Sequence, residues 1–314
     1  MVSPKNTAVS RAPTSSGCRS ATTSCAPRAN GSRPRPGCVE TARLPPVADG
    51  DLVLVDDIGH VRVLTLNRPD KANAFSIKLY DACADALRDA EVDDDVSVVV
   101  FTGAGKVYSA GVDINEMSAG IPDTDADATG NALPPRDRGE SGRAFDAFVN
   151  GVASFPKPLL AAVNGAAVGI GFTMLLHCDV VLVSELARLR APFTRMGVAP
   201  EAASSFLLPR RMGRQRAALA LFTSDWIAPQ EAVDAGLAVK VCPADRLVSD
   251  AVELATRIAE HPLPSLMETK RLVIDAERDN IARAKEQEGA AFARLLSLPD
   301  ARGRVAAQLD KGPR

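Results

Sequence analysis

Aromatic side chains are scarce in this chain: 4% of 314 residues, with one Trp and two Tyr. Its core therefore has to be built mainly from Ala, Val, Leu and Ile. An excess of one charge is also missing. The 37 Lys and Arg nearly balance 39 Asp and Glu, for a net charge of -2, which gives no electrostatic argument for nucleic acid or an anionic membrane as partner. No apolar run approaches the roughly 20 residues of a spanning helix, and no signal-peptide apolar region is present. None of the six cysteines has CxxC spacing, which argues against a zinc site. Cys83, Cys178 and Cys242 lie in hydrophobic segments and read as buried thiols, in keeping with a reducing compartment. The sequence contains no metal-ligand cluster, dinucleotide fingerprint, readable Ser/His/Asp arrangement or fixed-period repeat.

What is present is a chain 46% hydrophobic and 24% charged, the composition of a globular protein with a sizeable core. Residues 1–47 differ from the rest. They are rich in Ser, Thr, Pro and Arg without hydrophobic periodicity, and are expected to be a disordered tail. Their Arg-rich, acid-poor character also suits an organellar transit peptide, although the prolines argue against an amphipathic helix.

Order is expected from about Asp51. "DLVLVDD" and "HVRVLTLN" read as a hairpin about Ile58-Gly59. "SIKLYDACADALRDAEV" has helical spacing with Ser76 as N-cap. "VSVVVFTG", "KPLLAAVNG" and "DVVLVSE" read as strands, and a helix is expected near 142–152. Residues 119–140 form a long polar stretch, expected to be a lid or insertion. From Pro243 onward the pattern is almost wholly helical. The whole reads as an α/β core (48–245) with a helical C-terminal region (246–314).

Three segments carry the candidate chemistry: "NRPDKANAFS" (67–76), "YSAGVDINEM" (108–117) and "NGAAVGIG" (164–171). The last two each lead from a strand to a helix N-terminus, where unpaired N–H groups and a partial positive charge can receive an anion. Two such termini facing each other would form a socket for a developing oxyanion. Because the donors are backbone groups, small neighbours matter more than side-chain type.

In this order and spacing, the segments resemble the crotonase superfamily, the enoyl-CoA hydratase/isomerase fold. The resemblance covers roughly residues 50–275 and is strongest in "NRPDKANAF", "SAGVDI" and "AAVNGAAVGIGFTMLLHCD". It implies a spiral of ββα units, a helical C-terminal region that mediates assembly into a homotrimer or hexamer, and enolate stabilisation on an acyl-CoA thioester. Coenzyme A is then part of the substrate and no separate cofactor is expected. The oxyanion amides fall on Val112 and Ile170. Ala110, Gly111, Asp113, Ile114 and Gly169 would line the thioester and pantetheine path, Ala72 and Ala74 would lie near the CoA moiety, and Lys270 would approach its phosphates. For Asp113 an N-cap role is an alternative, and for Lys270 that of a solvated lysine. A cytoplasmic, bacterial-type enzyme is the expected setting, with organellar targeting by the tail left open.

The two positions at which the family's hydratases carry glutamates are Thr173 and Phe193 here. Hydration needs a base for water and an acid for carbon, and neither residue supplies a carboxylate. "APEAASS" (199–205) instead resembles the single-glutamate setting of peroxisomal-type Δ3,Δ2-enoyl-CoA isomerases, with Glu201 as the proton carrier. The alternative for Glu201 is a helix N-terminal carboxylate following Pro200. His177 reads as a core histidine and Glu116 as part of a solvated helix face. Two other functions remain in view: another crotonase activity such as hydration, and a non-catalytic acyl-CoA-binding protein that keeps the fold.

Overall fold

The computed structural model describes residues 50–119 and 139–309. The expected tail lies outside them, as does all of the expected 119–140 insertion except Ala119, Gly139 and Glu140. The strands are β1 (Val53–Ile58), β2 (Val61–Leu66), β3 (Val98–Gly103), β4 (Val107–Ser109), β5 (Leu159–Val163), β6 (Ala166–Val168), β7 (Val180–Ser184), β8 (Arg188–Arg190) and β9 (Lys240–Cys242). The helices of the core are α1 (Ile77–Val92), α2 (Ile114–Ala119), α3 (Gly139–Ser154), α4 (Ile170–Thr173), α5 (Phe193–Met196), α6 (Ser204–Met212), α7 (Arg214–Thr223) and α8 (Pro229–Asp234). Four more follow: α9 (Leu247–Ala259), α10 (Leu263–Asp275), α11 (Arg278–Leu296) and α12 (Pro299–Leu309). A 3-10 turn at Met174–His177 continues α4.

The main sheet has the order β1-β2-β3-β5-β7-β9. β1 and β2 form the expected antiparallel hairpin, with Ile58 opposite Val61, and every later pairing is parallel. Both faces are covered, which is why these strands read as continuous apolar runs. Val61, Val63, Val98, Val100, Leu160 and Ala162 point to one face and pack on Leu247, Ala251 and Ala255 of α9. Their alternates, Leu64, Leu66, Val99, Phe101, Leu159 and Ala161, join Leu79, Cys83 and Leu87 of α1 and Phe148 and Val152 of α3. The period of two along each strand produces this division. Ser76 caps α1 as expected, its hydroxyl accepting the Leu79 amide at 3.2 Å.

A second sheet, β4-β6-β8, is parallel throughout. Its strands have three residues each, too few for any alternation to register in the sequence. The consequence for the site is topological. β2, β3 and β5 run parallel, so the segments after them leave the sheet at one edge, the edge at which α/β folds commonly bind ligands.

Candidate active site

The first segment is tied to the second by backbone. Ala72 and Asn73 are both left-handed, with φ of 50° and 53°. The buried Asn73 holds that turn: its carboxamide oxygen accepts the Arg68 amide at 2.8 Å, and its Nδ2 donates to the Ala104 and Val107 carbonyls. The Ala110 amide then donates to the Ala72 carbonyl at 2.9 Å, the Phe75 amide to the Gly111 carbonyl at 2.7 Å, and the Asp113 amide to the Phe75 carbonyl at 2.8 Å. Phe75 and Val112 thus form a parallel bridge. In such a bridge the residues on either side of Val112 bond to Phe75, and the Val112 amide faces away. It has no acceptor among the described residues.

The third segment carries a second such amide on a loop that touches the first. Gly169 is the N-cap of α4 at φ 53°, and its carbonyl accepts the Phe172 and Thr173 amides. Ile170 is the first residue of the helix, where no intrahelical acceptor exists, and none is supplied by the described residues. The two loops touch through glycine. Gly111 has φ +95°, and a Cβ there would lie 2.8 Å from the Val168 carbonyl oxygen. A Cβ on Gly169 would lie 3.8 Å from the Gly111 Cα. Val112 and Ile170 each directly follow one of these touching glycines.

Glu201 lies on a turn that docks against the end of the segment begun by Ile170. His177, the last residue of that segment, has its Nε2 2.8 Å from the Ala202 carbonyl. Burial drives the His177 imidazole down to about 4, so it is neutral near pH 7. The Glu201 carboxyl makes no hydrogen bond among the described residues. Burial, and secondly the nearby Glu288 carboxylate, push it from an ordinary 4.5 up to about 8. On another side stands Tyr80, 2% exposed, whose phenol is pushed well up by burial and next by the charge of Glu201. Its ring stacks on Phe75 at 4.8 Å between centroids, so Tyr80 connects the acid to the Val112 bridge.

The sequence matches the family described as enoyl-CoA hydratase/isomerase over residues 58–312. The chain belongs to the enoyl-CoA hydratase/isomerase family. Enoyl-CoA delta isomerase 2 of Rattus norvegicus is 34% identical over 236 residues, 75% of this chain. The match spans 58% of the rat protein, somewhat over half its length. The 2,3-dehydroadipyl-CoA hydratase of Escherichia coli strain K12 is 32% identical, over 80% of this chain and 92% of its own. Among solved structures, an enoyl-CoA hydratase/isomerase from Pseudoalteromonas atlantica T6c superposes with a TM-score of 0.73 at 33% identity, covering 84% of this chain and 99% of that one. The expected crotonase fold is thereby established, and the relatives include both isomerases and hydratases.

Several expected site residues are placed differently by the fold. Lys270 is 7% exposed, ion-paired with Asp179 at 2.7 Å and donating to the Lys157 carbonyl at 2.9 Å. Asp179 precedes β7 and accepts the amide of Leu159, the first residue of β5, so this pair sits at the opposite strand ends from Val112 and Ile170. The CoA-phosphate contact expected of Lys270 is corrected: the group is spent within the fold. A groove of about 540 Å³ lined by Phe155, Met267, Lys270 and Ile274 belongs to that same far end. Asp113 takes its N-cap alternative, accepting the Asn115 amide at 3.2 Å, and pairs with Arg68 at 3.3 Å. Glu116 is not on a solvated face. Its carboxylate accepts the Ile77 amide at 2.6 Å and caps α1. Ala72, Ala74, Ala110, Gly111 and Ile114 lie along the two bonded segments beside the Val112 amide.

Thr173 and Phe193 are both buried, and the Thr173 hydroxyl has no hydrogen-bond partner among the described residues. The helix-terminus alternative for Glu201 is also excluded. α6 starts at Ser204, and the carboxylate on its first amides is Glu288. Glu288 and Tyr80 were not among the expected site residues, because nothing in their local sequence marks them. Among the described residues, no three His, Cys, Asp or Glu side chains are grouped to hold a metal ion, and no helix is long and apolar enough to cross a membrane.

Proposed function

We propose that this protein is an enoyl-CoA isomerase that moves a double bond from C3 to C2 of an acyl-CoA thioester, with Glu201 as its single proton carrier. One observation carries the reading. Asp113 and Glu116, beside the Val112 turn, are bonded into the backbone, whereas Glu201, linked to that turn through Tyr80 and Phe75, has no hydrogen bond among the described residues and stands at about 8. A carboxyl at that value exchanges protons in both directions near neutral pH.

The thioester oxygen is received by the Val112 and Ile170 amides. The Glu201 carboxylate removes a C2 proton from a 3-enoyl thioester. The C2–H electron pair flows into the carbonyl, and the charge spreads over a dienolate. Each well-placed amide is worth on the order of 3 kcal/mol in such a transition state. The Glu201 acid then returns the proton to C4, C2=C3 forms, the oxygen charge collapses, and the base is regenerated with no net gain or loss of atoms. The Ala110–Ile114 and Ala72–Ala74 segments line the thioester path, and Gly169 allows its close approach. The working form is a homotrimer or hexamer in the cytoplasm, acting in fatty acid degradation.

Hydration is the second reading, favoured by the likeness to a hydratase. It would need a second acid or base, and Thr173 and Phe193 offer none. Feeding 2-enoyl and 3-enoyl thioesters separately tests the choice. The isomerase converts the 3-enoyl form and leaves the 2-enoyl form unhydrated. Water addition to the 2-enoyl form overturns the proposal. Binding of both without proton exchange would identify a non-catalytic acyl-CoA-binding protein.

A further inference from the structure

Ala202 and Ala203 directly follow Glu201 with φ of 54° and 58°. For an L-residue the left-handed region is disfavoured by its Cβ, so two in succession must be held by their surroundings. The Ser204 amide and hydroxyl both donate to the Glu201 carbonyl, at 3.0 and 2.6 Å, and close the turn. His177 holds the Ala202 carbonyl. The remaining contact comes from α11. One Glu288 oxygen accepts the Ala203 amide and the other the Ser205 amide, each at 2.7 Å. These are orphan donors at the start of α6, whose N-cap, Ala203, has no capping side chain. Glu288 is itself 6% exposed, so it is an internal fixture and not a surface charge.

We propose that Glu288 is a positioning residue for Glu201: by bridging the Ala203 and Ser205 amides it fixes the left-handed turn that carries the Glu201 carboxyl. The inference rests on the reading of Glu201 as proton carrier. It also makes the C-terminal helical region part of the site, since α11 supplies the contact.

The charge of Glu288 acts in the same direction as burial, keeping the Glu201 proton on to higher pH. Other charged and titratable groups surround the pair. Tyr80 from α1 faces Glu201, with Glu116 from α2 acting on the same phenol. Lys285, on the same helix as Glu288, faces it, with Asp146 from α3 beside that lysine. His177 is neutral, with Arg211 and Lys270 acting on it, and the Ser205 side chain bonds to Glu288.

The test uses the full chain as wild type, Glu288→Gln and Glu288→Asp. Three measurements are made: steady-state kinetics (kcat and KM) on a 3-enoyl thioester across a pH range bracketing 8, the Glu201 carboxyl titration by 13C NMR, and exchange protection of the Ala203 and Ser205 amides. Glu288→Gln keeps the length, loses the charge and can satisfy only one amide as before. Its Glu201 titration and the acid limb of its rate profile move to lower pH. Its kcat falls on the order of 10-fold or more through misplacement, with KM within about twofold. Glu288→Asp keeps the charge but retracts from the amides. It loses amide protection and kcat while its titration stays near that of wild type; it also serves if the Gln variant does not fold. Unchanged kcat and amide protection in Glu288→Asp, or an unmoved titration and kcat in a folded Glu288→Gln, overturn the proposal. If Glu201→Gln proves active, the reading of Glu201 fails, yet the amide protection still reports whether Glu288 holds the turn.

Discussion

Replacing Glu201 by Gln should stabilise the protein, and by an amount that depends on pH. The folded carboxyl stands at about 8 against an ordinary 4.5. Below 4.5 the folded and unfolded chains both carry the proton, and the carboxyl costs nothing. Between 4.5 and 8 the unfolded chain gives up its proton while the folded chain keeps it, so stability falls as pH rises; above 8 the loss is complete. At 1.36 kcal/mol per pH unit, the accumulated cost is roughly 3 kcal/mol at pH 7 and roughly 5 kcal/mol above 8. Gln has nearly the same shape and does not titrate. Its burial adds an offset that is the same at every pH and leaves the slope alone. Urea unfolding of both proteins at pH 5, 7 and 9 reads the difference directly. The gap should widen in favour of Glu201→Gln from pH 5 to 9, most steeply below 8. A gap that is constant, or that narrows with pH, would refute the account of a desolvated carboxyl.

Other substitutions test the surrounding geometry. Gly111→Ala puts a Cβ 2.8 Å from the Val168 carbonyl oxygen at φ +95°; it should cost at least about 1–3 kcal/mol and lower kcat by separating the two amide turns, so a variant with wild-type melting temperature and rate would contradict their contact. Thr173→Val removes a buried hydroxyl that has no partner among the described residues and should be neutral or stabilising by about 1 kcal/mol, with kcat unchanged; a drop in kcat would give Thr173 a part in the chemistry. Lys270→Met removes the buried ammonium from the Lys157 carbonyl and from the partly exposed Asp179 and should cost about 1 kcal/mol with KM for the thioester unchanged. A large rise in KM at unchanged stability would restore the CoA-phosphate contact.

The legible parts of the site were those written in local backbone chemistry. The turns at 72–75, 110–113 and 169–171 are marked by small residues where segments must approach closely, and Ser76 announces its helix by type and position. The strands of the main sheet were readable because both faces are buried. What stayed hidden depends on contacts distant in sequence. Glu288 meets the Ala203 amide across 85 residues, and nothing in "AKEQEGAAF" separates it from its exposed neighbour Glu286. Lys270 is hidden for the same reason, since its helix spacing does not reveal that Asp179 and the Lys157 carbonyl await it. Glu116 looked solvated because the Ile77 amide it caps lies 39 residues earlier.

The central claim is that one carboxyl, at Glu201, carries the proton between C2 and C4. Its most direct test is a paired measurement on wild type and Glu201→Gln in heavy water, following deuterium entry at C2 of a 3-enoyl thioester together with formation of the 2-trans product. Wild type should do both, and a folded Glu201→Gln should lose both by about 100-fold or more while still binding the thioester. A Gln variant that exchanges and isomerises at the wild-type rate would contradict the account.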